Sequence, residues 1–223
     1  ERGRNRGVDY VPENSKMKPL AGKLALFRVP IALAAALSAT AAGLIASRTL
    51  TATLGGSFLG VFLIACGASA LNQAQDHDLD SLMERTRKRP IPAGTINLRA
   101  ATYLSLVLLV VGVLFLAVAA GLPAFFLGIF AIAWYNGLYT PLKRRTAFAA
   151  IFGSLVGVIP PMIGWTAAGG RFFDARLFAL SMFLLLWQVP HFWLLLLDRE
   201  QDYRSAGLPV FTDVLPAVRL KRI

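Results

Sequence analysis

Cysteine is almost absent. The single Cys66 lies inside an apolar run, so no internal disulfide is available, and its plainest reading is a small buried residue. Charge is scarce as well: 16% of the 223 residues are charged against 56% hydrophobic, a balance too apolar for an ordinary soluble domain. Strict period-two alternation is missing from the apolar runs, which argues against a transmembrane barrel. The first 22 residues are too polar to serve as a cleavable signal peptide.

What is present is hydrophobic length. A spanning helix needs about 20 mostly apolar residues. Six runs meet that requirement: 24–46, 52–71, 98–120, 122–139, 147–168 and 177–197. The fold expected is therefore all-α, a polytopic transmembrane helical bundle occupying 24–216, preceded by a basic tail at 1–23 and closed by a basic end at 217–223. Pro160, Pro161 and Gly164 predict a kink in the fifth span that widens a cavity.

The net charge of +11 raises the question of nucleic acid, but its distribution answers a different one. Of the 23 Lys and Arg residues, 18 fall in the N-terminal tail and the segments after the second, fourth and sixth spans; the opposite connections hold only Arg48, Arg171 and Arg176. This is the positive-inside pattern. It predicts that the tail and the charged loops face the cytoplasm or its equivalent: a multi-pass protein of the cell inner membrane, or of the mitochondrial inner membrane in a eukaryote. The partner implied is the lipid bilayer, with no nucleic acid.

The 12 acidic residues are unevenly placed, and seven of them fall in two short windows. Asp76, Asp78, Asp80 and Glu84 follow the second span; Asp198, Glu200 and Asp202 follow the sixth. Asp76 and Asp80 are four apart and share a helix face, with Asn72 one turn earlier. Asp198 and Asp202 repeat the spacing, so the segments 72–97 and 198–216 suggest a rough internal duplication. Like charges at this spacing repel, and beside a bilayer the desolvation cost grows. One such pair reads as a solvated helix end. Two pairs at the same membrane face, each beside an Arg cluster, read as oxygen ligands for Mg²⁺ or Mn²⁺ holding a diphosphate. Arg85, Arg89 and Lys143 lie at the same face, and guanidinium and ammonium groups are the natural partners of phosphate oxygens.

Four stretches carry a resemblance. Residues 72–94 read NQAQDHDLDSLMERTRKRPIPAG, 139–145 read YTPLKRR, 159–165 read IPPMIGW, and 187–209 read WQVPHFWLLLLDREQDYRSAGLP. Together they resemble the UbiA superfamily of intramembrane prenyltransferases, and within it the protoheme IX farnesyltransferase (haem O synthase) family. The resemblance implies a helical bundle around a central cavity, with both Asp-rich motifs facing each other at its cytoplasmic mouth. It implies Mg²⁺-dependent transfer of a farnesyl group from farnesyl diphosphate to a vinyl group of haem B, giving haem O, and a downstream haem-modifying membrane enzyme as a possible partner. Carried over by position, Asn72, Asp76, Asp80, Asp198 and Asp202 are the metal ligands, the four aspartates being the catalytic set, and Arg85, Arg89 and Lys143 hold diphosphate. The family has about nine spans where six are visible here, so the expectation is a C-terminally incomplete chain; the family's usual Lys-Pro-Arg element before the first span is also not evident.

His191 lies within the sixth span, where an ionisable residue is costly and usually functional, and imidazole is a common haem ligand; it is the candidate for orienting haem. Phe148, Trp165 and Phe192 are candidates for facing an allylic cation. Two other readings stand beside this one. The first is a UbiA-type enzyme acting on an aromatic acid, a quinone precursor or a lipid, against which the Pro-His-Phe-Trp element argues. The second is a transporter, whose acidic residues would belong near the midplane rather than at span ends.

Overall fold

A computed structural model describes residues 24–213, and the expected basic tail and basic end lie outside the described residues. Six membrane-length helical segments follow one another. The first is α1 (Val29–Ser47), the second α2 (Ala52–Gln75), which leads into the short α3 (His77–Leu82). The third is α4 (Leu98–Ala119). The fourth is α5 (Leu122–Ile132), continued by a π-helical turn (Ala133–Tyr139) as far as Leu142. The fifth is split into α6 (Ala149–Val156) and α7 (Ile159–Ala167). The sixth is α8 (Ala175–Asp198), followed by the short α9 (Glu200–Ser205).

Local chemistry sets the ends. Thr51, Asn97 and Asp174 precede α2, α4 and α8, and each side chain accepts a hydrogen bond from the backbone N–H of Leu54, Arg99 or Arg176, capping donors that would otherwise be orphaned. Pro30, Pro123 and the Pro160–Pro161 pair sit in first turns, where no backbone N–H is needed. The first span begins five residues later than expected, because Ala25–Phe27 form a separate 3₁₀ turn and Arg28 adopts a left-handed conformation (φ 46°) that breaks it from α1. The second span runs four residues further than expected, which keeps Asn72 and Gln75 helical. The fifth span breaks at Gly157–Val158 rather than merely kinking.

In lipid the helices gain little from burying apolar surface against one another, so close packing through small residues holds the bundle together. Gly56, Gly60 and Gly67 of α2 lie against Ala119, Leu116 and Leu109 of α4, and a Cβ on Gly112 would sit 2.9 Å from the Ile64 nitrogen and 3.1 Å from the Gly60 oxygen. Ala39 and Gly43 of α1 meet Gly164 of α7 in the same way. The resulting core joins Ala36, Val61, Ile64, Leu109, Leu116, Ile159 and Ile163. The helix α2 is the central post of the bundle, while the apolar stretch of α8 has no fully buried residue beyond Leu177.

The loops after α2 and α8 share one build: a short helix directly after the span, with acidic residues in its first turn. They also meet. Met83 and Leu79 pack against Tyr203, Ala206 and Leu208. Single cysteines at the exposed Ser81 and Arg171, in a Cys66→Ala background, are expected to react with a membrane-impermeant maleimide from opposite sides. Labelling of both from one side in sealed vesicles would overturn the six-span order.

Candidate active site

A cavity of about 570 Å³ runs between α1, α2, α5, α6, α7 and α8. Its deep walls are apolar, with Ala35, Val61, Ile64 and Ile163 among the lining residues. Its mouth is polar and carries Asn72, Asp76 and Asp80 together with Arg28, Arg85, Arg89, Lys143 and Arg199. The volume lies within the range of small-molecule sites.

The extension of α2 creates the mouth. Asn72 lies on its last turn and Asp76 directly follows it, and Asn72 Nδ2 donates to Asp76 Oδ2 at 2.9 Å and to Thr140 Oγ1 at 3.0 Å. Thr140 Oγ1 in turn donates to the Tyr135 carbonyl at 2.9 Å, across the π-helical turn. Such turns recur at functional sites because they re-aim side chains without ending the helix. Here the turn brings Tyr135, Tyr139 and Lys143 onto the cavity wall at spacings of four, with the two tyrosine rings stacked at 5.6 Å and the Lys143 ammonium 5.9 Å from the Tyr139 centroid.

Asp76 and Asp80 are each only 2% exposed. Their charge is compensated by side chains of the protein itself. Lys143 Nζ pairs with Asp76 Oδ2. Arg144 reaches Asp76 Oδ1 at 3.4 Å and grips Asp78 through two 2.9 Å bonds. Arg89 Nη1 donates to both oxygens of Asp80, at 2.7 and 2.6 Å. The predicted repulsion between the spaced carboxylates is thus met by three of the nearby cations. Burial pulls the Lys143 ammonium below its ordinary range, and Asp76 pushes the other way. Arg85 is lowered by burial and then by Arg199 and Arg89, so three guanidinium groups share this side of the mouth and favour an anion between them.

The second acidic window is arranged differently. Asp202 Oδ2 lies 3.6 Å from Arg85 Nε, which ties the two loops together. Asp198 is exposed and is not among the residues lining the cavity. His191 is also placed elsewhere. The cavity stripe of α8 is Leu184, Gln188, Phe192, Leu195, Leu196 and Arg199. His191 falls outside that stripe, exposed and stacked on the exposed Trp187 at 5.0 Å. Of the three aromatic candidates only Phe192 lines the cavity. Trp165 is fully buried near the other end of the bundle, with the Arg176 guanidinium 5.2 Å from its ring, and Phe148 is partly exposed.

Sequence reasoning passed over Arg28, Arg199, Tyr135, Tyr139, Tyr203 and Gln188, all of which line the cavity. Arg199 counts in the charge distribution only as one of the 18 loop and tail cations, and Arg28 sits at a span end outside both groups of that count. The only signal for Arg199 was its position directly after Asp198.

Among the described residues no three acidic, histidine or cysteine side chains converge tightly enough to hold a metal by themselves. Asn72, Asp76 and Asp80 nevertheless offer hard oxygen donors at one rim of a cationic mouth. That donor set fits a Mg²⁺ ion shared with substrate phosphates, since magnesium typically takes one or two carboxylates and completes its shell with phosphate and water.

The profile of the UbiA prenyltransferase family matches residues 29–223. A protoheme IX farnesyltransferase of Geobacter sulfurreducens is 46% identical over 189 residues, which cover 85% of this chain and 70% of that protein. One from Nitratidesulfovibrio vulgaris is 45% identical over 165 residues, 74% of this chain and 58% of that protein. The chain therefore spans well under the full length of these relatives. Among solved structures, a UbiA homolog from Archaeoglobus fulgidus bound to GPP and Mg²⁺ superposes with a TM-score of 0.75 at 17% identity, over 90% of this chain and 72% of that one. A digeranylgeranylglyceryl phosphate synthase gives 0.74 at 19% identity, over 92% and 72%. These two likenesses concern the fold.

Proposed function

Because this chain belongs to the UbiA prenyltransferase family, we propose that it is the membrane-embedded core of an enzyme that transfers a farnesyl group from farnesyl diphosphate to a vinyl group of haem B, giving haem O. The observation that carries the reading is the cavity itself: apolar along its length and ringed at one mouth by Asp76, Asp80 and five basic side chains. An amphipathic substrate with a long apolar tail and a multiply charged head matches that division.

The acceptor is read from the relatives, whose name specifies protoheme IX. The orientation with the charged loops toward the cytoplasm, and placement in the inner membrane, rest on the asymmetry of Lys and Arg. Mg²⁺ is the divalent ion proposed, held by Asn72, Asp76 and Asp80 with the substrate phosphates. When bound, it supplies positive charge against the departing diphosphate.

The chemistry required of the chain is modest and electrostatic. The allylic C–O bond breaks and its electron pair leaves with diphosphate. Arg85, Arg89, Lys143, Arg28 and Arg199 stand where that negative charge develops, in a site whose low dielectric strengthens each contact. For Lys143 and Arg89 this means exchanging a carboxylate partner for phosphate oxygens. The allylic cation left behind meets the faces of Tyr135, Tyr139 and Phe192, which attract positive charge, while the apolar walls keep water away from it. The vinyl π electrons then form the new C–C bond from the terminal vinyl carbon, which moves the positive charge to the carbon next to the porphyrin ring; a water molecule adds there and releases its proton to solvent, leaving the hydroxyl group of haem O. Asp198 and Asp202 are proposed as the outer acidic pair that would serve a magnesium-bearing head group, Asp202 becoming available where Arg85 exchanges it for phosphate.

Membranes containing the protein, incubated with haem B, farnesyl diphosphate and Mg²⁺, are expected to yield a farnesylated haem by mass spectrometry, and to yield none with EDTA. Prenylation of a quinone precursor or lipid with no reaction on haem would overturn the acceptor.

A further inference from the structure

The sixth span presents one polar side chain to the middle of the cavity, and it is Gln188. The residue lies eleven positions before Arg199, about 16 Å of helix rise into the membrane from the charged mouth. Around it the stripe of α8 is Leu184, Phe192 and Leu195, all apolar. Its Oε1 is buried and has no hydrogen-bond partner among the described residues. An unsatisfied buried amide is costly, and native structures seldom keep one without a use.

The wall opposite has been cut back to admit it. A Cβ at Gly157 would overlap the Gln188 amide, with the amide carbon at 2.5 Å. Gly157 has an ordinary right-handed backbone (φ −74°), so its lack of a side chain serves space rather than conformation: it leaves open the seat in which the Gln188 amide now lies. It also stands at the break between α6 and α7, and both it and its neighbour Val156 line the cavity.

A prenyl tail offers an amide nothing to bond with, and the diphosphate belongs at the mouth with the cations. The remaining occupant is the acceptor. A haem also carries two carboxylates, but these call for positive partners, and the cavity's cations are all at the mouth. The polar group that a neutral carboxamide can serve at this depth is a neutral one on the iron, an axial water. Resting on the haem reading above, we infer that Gln188 is a positioning residue for the acceptor: its carboxamide hydrogen-bonds the axial water of the haem iron and so sets where the porphyrin lies beside the prenyl chain. The role that sequence reasoning assigned to His191 thereby moves three residues back along the same helix, onto the face that lines the cavity.

The test is a titration of detergent-purified protein with ferric haem, followed by the Soret band without prenyl diphosphate, and repeated with iron-free protoporphyrin IX. Gln188→Met keeps the volume and removes the hydrogen bonds. It is expected to weaken haem binding about two- to tenfold, to leave protoporphyrin binding unchanged, and to leave the KM for farnesyl diphosphate unchanged. Gly157→Ala, which pushes the amide from its seat, is expected to show the same selectivity and serves if the first variant does not fold. Equal losses for both porphyrins, or unchanged haem binding, would overturn the inference. Failure of the unsubstituted protein to bind haem would instead overturn the haem reading.

Discussion

Asp76→Ala is expected to lower turnover by on the order of 100- to 1,000-fold or more, the scale set by losing one electrostatic element of a preorganised site. Asp76 is the hub of the mouth. It accepts from Asn72, Lys143 and Arg144, and it is almost fully enclosed. Its removal acts twice. The site loses an oxygen donor, and the largely buried Lys143 ammonium loses its direct carboxylate partner, while Arg144 keeps its two bonds to Asp78. Deleting one partner of a fully buried pair costs about 3–5 kcal/mol, an upper bound here because Lys143 is partly exposed. Asp76→Asn separates the two effects: it keeps the shape and part of the hydrogen bonding but not the charge. The expected result is an inactive protein in both variants, with a clear drop in thermal stability in detergent for the alanine variant and a smaller one for asparagine. Turnover near the unsubstituted level in either variant, measured with saturating Mg²⁺, would remove Asp76 from the catalytic set.

The largest effect expected on stability comes from a residue with no chemistry at all. Gly164→Val places side-chain atoms where the Ala39 backbone now passes, since even a Cβ would overlap the Ala39 carbonyl and lie 2.9 Å from its Cα. The obstacle is backbone rather than a flexible side-chain tip, so α1 and α7 must separate. Overpacking a well-filled contact costs typically about 1–3 kcal/mol, and occasionally more where backbone has to move. Both helices line the cavity, so binding is expected to weaken together with melting temperature. Gly55→Ala is the matched control: its Cβ would meet nothing within 4 Å, and alanine in a helix is favoured over glycine by about 0.5–1 kcal/mol. The prediction fails if the two variants melt alike.

The sequence by itself determined the bundle and which polar residues gather at one end of it. Six apolar runs of spanning length allow little else, and the runs recovered in space match those read from hydropathy to within a few residues at most ends. Asn72, Asp76, Asp80, Arg89 and Lys143 were legible because carboxylates at a spacing of four beside a membrane demand an explanation, and the structure brings these five together. What the tertiary structure alone decided is rotation and partnership. Hydropathy alone carries no mark of which side of a span faces a cavity, so the sequence singles out His191 for its imidazole and passes over Gln188, and only the packing of α8 against α6 turns Gln188 inward. The carboxylates were read as needing an added cation because Lys143, 67 residues away, and Arg144, 68 away, can be paired with Asp76 only by packing α5 beside α2. Arg28 and Arg199 were hidden for a related reason: a cation at a span end satisfies the topology rule wherever it points, and only the fold turns these two toward the same opening.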